Sequence, residues 1–261
     1  MPQISVTQGI ALAVLCRLAA FLTDSCGYTT PFALGALLAV CTQFLFVILL
    51  RRIRPPHFLR TVSSAAAAVW AGALCLRLHR LLCVLHAPVP LITLGLLLAT
   101  VCLMLRHPFA AAARTAAVFL MLSAIALLLL PVSAIGTAEP VYLHMKGSLT
   151  GGFLCTWAIS GDLFLLLPIL RHAEKRDANR ILTGWAVGCG LVIPAVILLG
   201  TMQNGRLLGF GGAPFFMLLA RTPLSDALRT DGFWLLLAVS LTALSAAALL
   251  RNAMTEMRDT K

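Results

Sequence analysis

The stretch LTGGFLCTWAISGDLFLLLPIL, residues 149–170, decides how this chain must fold. It is long and apolar enough to cross a bilayer, for which a helix needs about 20 residues. Asp162 lies near its centre, where a carboxylate costs at least ~2.5–3.5 kcal/mol on insertion scales. Ser160 and Gly161 precede this charge and Pro168 follows it, a combination that weakens a continuous helix. The sequence therefore predicts a weakened membrane span whose central charge another group compensates.

The composition extends this conclusion to the whole chain. Of its 261 residues, 60% are hydrophobic and only 11% are charged, and the mean hydropathy is +0.97. A soluble domain could not bury that much apolar surface. The alternating segments of about ten residues that are typical of β-barrel strands do not occur. We predict an all-α protein, a polytopic transmembrane helical bundle that forms a single integral membrane domain over residues 1–261.

Eight apolar runs are candidate spans. Between the last two lies a segment, 204–232, which is long for a loop and contains apolar residues, so we predict an amphipathic or re-entrant piece along the outer face. The predicted spans are 8–24, 32–50, 62–84, 89–105, 112–132, 149–170, 182–203 and 233–250.

The Lys and Arg residues predict the orientation of these spans. Thirteen of the 20 lie in the loops 51–60, 106–114 and 171–180 and in the tail after Leu250, and six lie on the opposite side. Because cytoplasmic loops carry the excess of Lys and Arg, both termini are expected in the cytoplasm. The net charge of +11 is thus explained by topology, and nucleic acid is not an expected partner.

Patterns typical of enzymes or metal sites are missing from the sequence. There is no serine nucleophile elbow, no paired carboxylates and no phosphate-binding glycine loop, so we expect neither an enzyme nor a cofactor. Five histidines lack i, i+4 partners, and the eight cysteines lack CxxC spacing, which argues against a metal site. These histidines are His57, His86, His107, His144 and His172. Most cysteines are expected to be packing residues, and only Cys26 and Cys83 are placed to pair.

Asp162 carries the functional prediction. An interrupted helix exposes backbone groups and half-helix dipoles near the membrane midplane, as in transporters. We therefore predict a ligand or proton site around Asp162, with Gly161, Ser160, Arg17 and Trp157 as further binding residues. Arg17 is the natural counter-charge. The alternative is an ion pair that only holds the bundle together.

Arg77, near the end of the third span, has two interpretations. It could line a vestibule that attracts anions, or its side chain could extend to the membrane interface. The tryptophans Trp70, Trp157, Trp185 and Trp234 are expected to be packing or interface anchors, although Trp157 could also border a pocket.

The segment APFFMLLARTPLSDALRTDGFWLLLAVSL, residues 213–241, resembles the spore germination permease family, the B-subunit type of Ger germinant receptors. The matching positions are Pro214, Phe215, Arg221, Asp226, Arg229, Asp231 and Trp234. The opening Ile4, Ser5 and Gln8, the segment ARTAAVF around Arg114 and the segment SGDLFLLLP are similar to the family as well. Residues of the 213–241 segment are expected to form a structural motif.

This resemblance implies an APC/LeuT-like architecture, that of the amino acid permease superfamily, lacking the last two helices. The first span also lacks the glycine-rich break of that fold. The implied function is a non-enzymatic subunit that senses a small nutrient, an amino acid or similar ligand, together with A-type and C-type subunits. The implied location is a bacterial cytoplasmic membrane such as the spore inner membrane. An amino-acid permease and a membrane scaffold without ligand are the alternatives.

Overall fold

The computed structural model of the chain describes residues 4–24, 29–52, 57–85, 90–134, 143, 147–204, 215 and 230–258. These ranges contain nine helices and no strand. In chain order the helices are α1 Val6–Leu22, α2 Thr30–Arg52, α3 His57–Val84, α4 Pro90–Arg106, α5 Phe109–Ala134, α6 Leu149–Ala158, α7 Leu163–His172, α8 Lys175–Asn204 and α9 Thr230–Arg258. The all-α prediction is confirmed for this part of the chain.

The helices match the predicted spans in order, and most of their ends agree within a few residues. Five of them, α2, α3, α5, α8 and α9, are long and apolar enough to cross a membrane. The sixth predicted span is instead the pair α6 and α7, bent by 60°. The chain is an integral membrane protein built as a helical bundle.

The helices at the first and fourth predicted spans, α1 and α4, are shorter than the five that are long enough to cross a membrane. Both α1 and α4 have 17 residues, about 26 Å of helix at 1.5 Å per residue, slightly less than the ~30 Å hydrocarbon core. The last predicted span, in contrast, continues eight residues past its expected end to Arg258.

Helix α1 lies at the centre of the bundle. Ser5 and Gln8 form a capping box at its start, which satisfies two amide donors of the first turn. Every residue from Ala11 to Leu22 is buried, and α5, α8 and α9 pack against it. The helix is continuous, as expected from its lack of a glycine-rich break.

Glycines allow two helix pairs to approach closely. A Cβ on Gly35 of α2 would collide with the Leu149 carbonyl oxygen, and one on Gly152 of α6 would collide with the Phe32 carbonyl oxygen. On the other side of the bundle, a Cβ on Gly184 of α8 would collide with Ile10 of α1. Small residues at such contacts let membrane helices gain van der Waals contact across their backbones.

Most of the predicted outer segment 204–232 lies outside the described residues, including Pro214, Arg221, Asp226, Arg229 and the side chain of Asp231. Its amphipathic or re-entrant character and the role of the motif therefore stay predictions. Phe215 is described and buried. Its ring lies 4.9 Å from that of Trp234, so these two positions of the motif are in contact.

Candidate functional site

The break between α6 and α7 is the feature around which the candidate site is built. The Ile159 amide donates to the Cys155 carbonyl, and the Ser160 hydroxyl donates to the Trp157 carbonyl. These bonds satisfy carbonyl groups that the end of α6 would otherwise leave without partners. Helix α7 then starts directly after Asp162, so the predicted interruption at Gly161 and Asp162 is confirmed.

Gly161 is required at the break because Trp70 of α3 lies directly over it. A Cβ at position 161 would collide with the Nε1, Cδ1 and Cε2 atoms of the Trp70 indole. No other residue could therefore occupy this position with the Trp70 ring in place.

Asp162 accepts two short hydrogen bonds in the bundle interior. Its Oδ1 atom lies 2.6 Å from Arg17 Nε, and its Oδ2 atom lies 2.6 Å from Trp185 Nε1. The side chains of Asp162 and Arg17 are both completely buried. The Asp162 carboxylate does not cap its own helix but connects α7 to α1 and α8.

Arg17 is held from the other side by α2. Its Nη2 atom donates to Gln43 Oε1 at 2.9 Å, and Gln43 Nε2 in turn donates to the Thr156 carbonyl of α6 at 3.4 Å. The guanidinium carbon also lies 5.7 Å from the centre of the Trp185 ring, within the range of a cation–π contact. Arg17, Gln43, Asp162 and Trp185 thus form a central polar cluster joining α1, α2, α7 and α8.

The pairing of Arg17 with Asp162 explains how the bundle tolerates both charges. An intramembrane charge is usually accommodated by a counter-charge facing the same interior. Each carboxylate oxygen has a donor, and charge-assisted bonds of this kind are about twice as strong as neutral ones. The central polar cluster is therefore electrically neutral, and the predicted partnership between Arg17 and Asp162 is confirmed.

A second ion pair lies near the break. Arg77 Nη1 of α3 is 3.2 Å from Asp24 Oδ2, and its Nη2 atom donates to the Ala158 carbonyl at the end of α6. The guanidinium carbon lies 5.1 Å from the centre of the Trp70 ring. Arg77 therefore connects the ends of α1 and α6 through Asp24 and the Ala158 carbonyl. Neither of the two interpretations from the sequence included these contacts.

Ser160 and Trp157 have contacts outside the central polar cluster. Ser160 closes the end of α6. Trp157 Nε1 lies 3.3 Å from Thr42 Oγ1, and its ring packs at 5.9 Å from that of Phe46, both on α2. Arg17 and Asp162 are thus brought together with Gly161 adjacent, whereas Trp157 faces α2; a ligand-binding role for all five stays a prediction.

The predicted pairing of Cys26 with Cys83 is wrong, and Cys26 itself lies outside the described residues. Cys83 is a free cysteine, whereas Cys155 of α6 is disulfide-bonded. Cys155 also places its sulfur 3.8 Å from Asp24 Oδ2, next to the second ion pair.

The sequence prediction missed Gln43 as a cluster member and gave Trp185 only the role of a packing or interface anchor. A signal existed for Gln43, because a long amide side chain inside a predicted apolar span must find a hydrogen-bond partner there. For Trp185 there was none, since an indole at that position fits equally well in a core or at the membrane interface.

Comparison with known proteins adds no family to this description: the sequence matches no protein-family model, and neither a curated protein nor a solved structure matches it.

Proposed function

We propose that this chain is a germinant-receptor B-like subunit, an integral membrane protein that senses a small amino-acid-like nutrient. The observation that carries the proposal is the ion pair of Arg17 and Asp162 at a helix break, completely buried and 2.6 Å between Nε and Oδ1. The resemblance of residues 213–241 to the B-subunit family supplies the biological context.

A zwitterionic amino acid has the chemistry to exchange with this ion pair. Its carboxylate would accept hydrogen bonds from the Arg17 guanidinium while its ammonium group donates to Asp162. Both buried charges would keep a counter-charge throughout, which avoids the large cost of an isolated charge in the bundle. A singly charged ligand would leave one of the two without a counter-charge, and an uncharged ligand would leave both without one.

Insertion of such a ligand would separate α7 from α1. A ligand shifts a conformational equilibrium by its difference in affinity between two states. In the proposal the closed ion pair is the unliganded state, and the liganded state has the Arg17 and Asp162 side chains apart. The hinge would be the break at residues 159–162, which passes the signal to A-type and C-type partner subunits in the spore inner membrane.

The test uses spores that carry variants of this chain in place of the native one. The double variant Arg17→Gln/Asp162→Asn keeps two neutral polar side chains of similar size and removes both charges. We expect it to accumulate in the membrane and to abolish germination in response to amino acids. Germination of this variant at the original amino-acid concentration would refute the proposed role of the charges.

A scaffold function is favoured by one observation: both oxygens of Asp162 are already engaged, by Arg17 and Trp185. A scaffold would bind no amino acid, and the double variant would then support germination if it folds. A permease, the other alternative, would move radiolabelled amino acid into proteoliposomes, whereas a sensing subunit would bind it without net uptake.

A further inference from the structure

Two buried polar groups without a partner belong to residues that line the same cavity. Arg17 Nη1 and Ser123 Oγ make no hydrogen bond within the described part of the chain. Arg17 uses its Nε and Nη2 atoms for Asp162 and Gln43, so Nη1 is the nitrogen that remains. A helical serine often donates to the carbonyl four residues earlier, yet Ser123 does not.

The cavity lies between α1, α5 and α8 and has a volume of about 510 Å³. This is within the usual range of ~300–1,000 Å³ for small-molecule sites. Apart from Arg17 and Ser123, nearly all its lining residues are apolar, and Asp162 is not among them. It shares Arg17, but not Asp162, with the space between α1 and α7 in which the proposed nutrient would insert.

The cavity opens toward the hydrocarbon of the membrane. Leu128 of α5 and Leu191 of α8 line it, and they are 70% and 65% exposed on the outside of the bundle. A molecule entering between these side chains would come from the lipid phase rather than from water.

The charge balance of the cluster selects the kind of molecule. Because Asp162 already neutralises Arg17, an anion in the cavity would add an uncompensated buried charge, which is costly in a low-dielectric site. A neutral oxygen acceptor would satisfy Arg17 Nη1 and the Ser123 hydroxyl at no such cost. We propose that this cavity binds a neutral lipophilic molecule with a carbonyl acceptor, of the membrane quinone type, with the carbonyl oxygen at Arg17 and Ser123.

The test measures binding to the full chain in lipid nanodiscs. The probe is decylubiquinone, whose ring quenches tryptophan fluorescence, and the Trp185 ring centre lies 5.7 Å from the guanidinium carbon of Arg17 at the expected site. We expect saturable quenching. Ser123→Ala removes one hydrogen-bond donor and should weaken binding about 5-fold, in line with one neutral hydrogen bond.

Matched variants separate the cavity from the rest of the bundle. Ala124→Phe should abolish saturation because residue 124 lines the cavity, whereas Ile125→Phe, on the next residue of the same helix and outside the cavity, should not. Thr242→Ala removes another buried hydroxyl without a partner in the described residues and should leave binding unchanged.

Two results would overturn the proposal. One is quenching that rises linearly with probe and is equal in all variants that elute like the native protein, which shows only partition into lipid. The other is stronger displacement of the probe by decanoate than by unlabelled neutral quinones, because the site would then select an anion. Neither result bears on the nutrient proposal, since Ser123 and Ala124 lie outside the central polar cluster.

Discussion

Arg17 and Asp162 are each acceptable in the bundle only because of the other. Removal of one partner from a buried pair leaves an isolated charge, and that change is more costly than replacement of both partners. Gln43 and Trp185 make the two charges still more dependent on each other's position. Gln43 accepts a hydrogen bond from Arg17, and Trp185 donates one to Asp162.

A double-mutant cycle tests this coupling. Arg17→Gln and Asp162→Asn should each lower the free energy of unfolding by about 3–5 kcal/mol. The double variant should regain at least half of the larger loss, because no charge remains buried without a counter-charge. Unfolding in mixed detergent micelles measures all four proteins, and strictly additive losses would show that the two residues are not coupled.

At the scale of the elements, the break between α6 and α7 depends on contacts from α3 and α2. The Trp70 ring of α3 covers Gly161, and the backbone of α2 touches that of α6 at Gly152. At both positions glycine permits the contact because it has no Cβ. The neighbouring atoms belong to a side chain at Gly161 and to the backbone at Gly152. A side chain can move aside at moderate cost, whereas a backbone carbonyl moves only with its helix.

Gly161→Ala should displace the Trp70 indole and destabilise the fold by about 1–3 kcal/mol, the usual cost of overpacking. Replacing Trp70 with Leu in the same chain should recover part of that loss, since the indole atoms cause the collision. Gly72→Ala is the control: no atom of the described residues lies within 4 Å of its Cβ position on α3, so its effect should be neutral or a gain of up to ~1 kcal/mol. Equal thermal stability of the Gly161→Ala and Gly72→Ala proteins would contradict this account of the break.

Gly152→Ala should be harder to rescue, because its Cβ would meet the Phe32 carbonyl oxygen of the α2 backbone. We expect a loss at or above ~3 kcal/mol, the upper end of the range for overpacking, and no recovery when the Phe32 side chain is shortened. Gly95→Ala on α4, where the Cβ would meet no atom of the described part of the chain within 4 Å, serves as its control. Recovery with Phe32→Ala would mean that the side chain, rather than the backbone, limits the distance between the helices.

For the whole molecule, hydrogen bonds bring ends of different helices together. Arg51, at the end of α2, donates to Asn179 near the start of α8 at 2.7 Å. Arg251, in the last turns of α9, donates to the Leu105 carbonyl at the end of α4. These are also the ends at which the Lys- and Arg-rich loops begin, so the positive charge that predicts a cytoplasmic side is concentrated by the fold.

Cysteine labelling tests the orientation. Arg176→Cys, at an exposed position, should react with a membrane-impermeant maleimide only from the cytoplasmic side, and Glu139→Cys only from the opposite side. Glu139 lies outside the described residues, and its placement is predicted from the charge asymmetry alone. Native cysteines exposed on the bundle, such as Cys83 and Cys102, are first replaced by Ser. Labelling of both positions from one side would mean that the chain crosses the membrane one time fewer, or one time more, between them.

The amino-acid pattern alone was enough to predict the class of protein, the order of its helices and the interruption at Asp162. Hydropathy over about 20 residues and local breakers such as Gly161 act within a short stretch of chain, so these properties need no knowledge of other segments. It also indicated Arg17 as the counter-charge, because few groups could neutralise Asp162. The packing of the helices was needed to show that Gln43 and Trp185 complete the cluster. It also showed that Arg77 pairs with Asp24 and that Ser123 shares a cavity with Arg17. These contacts depend on the rotation of each helix about its axis, and nearly uniform apolar spans carry little periodic signal to fix that rotation before the helices pack.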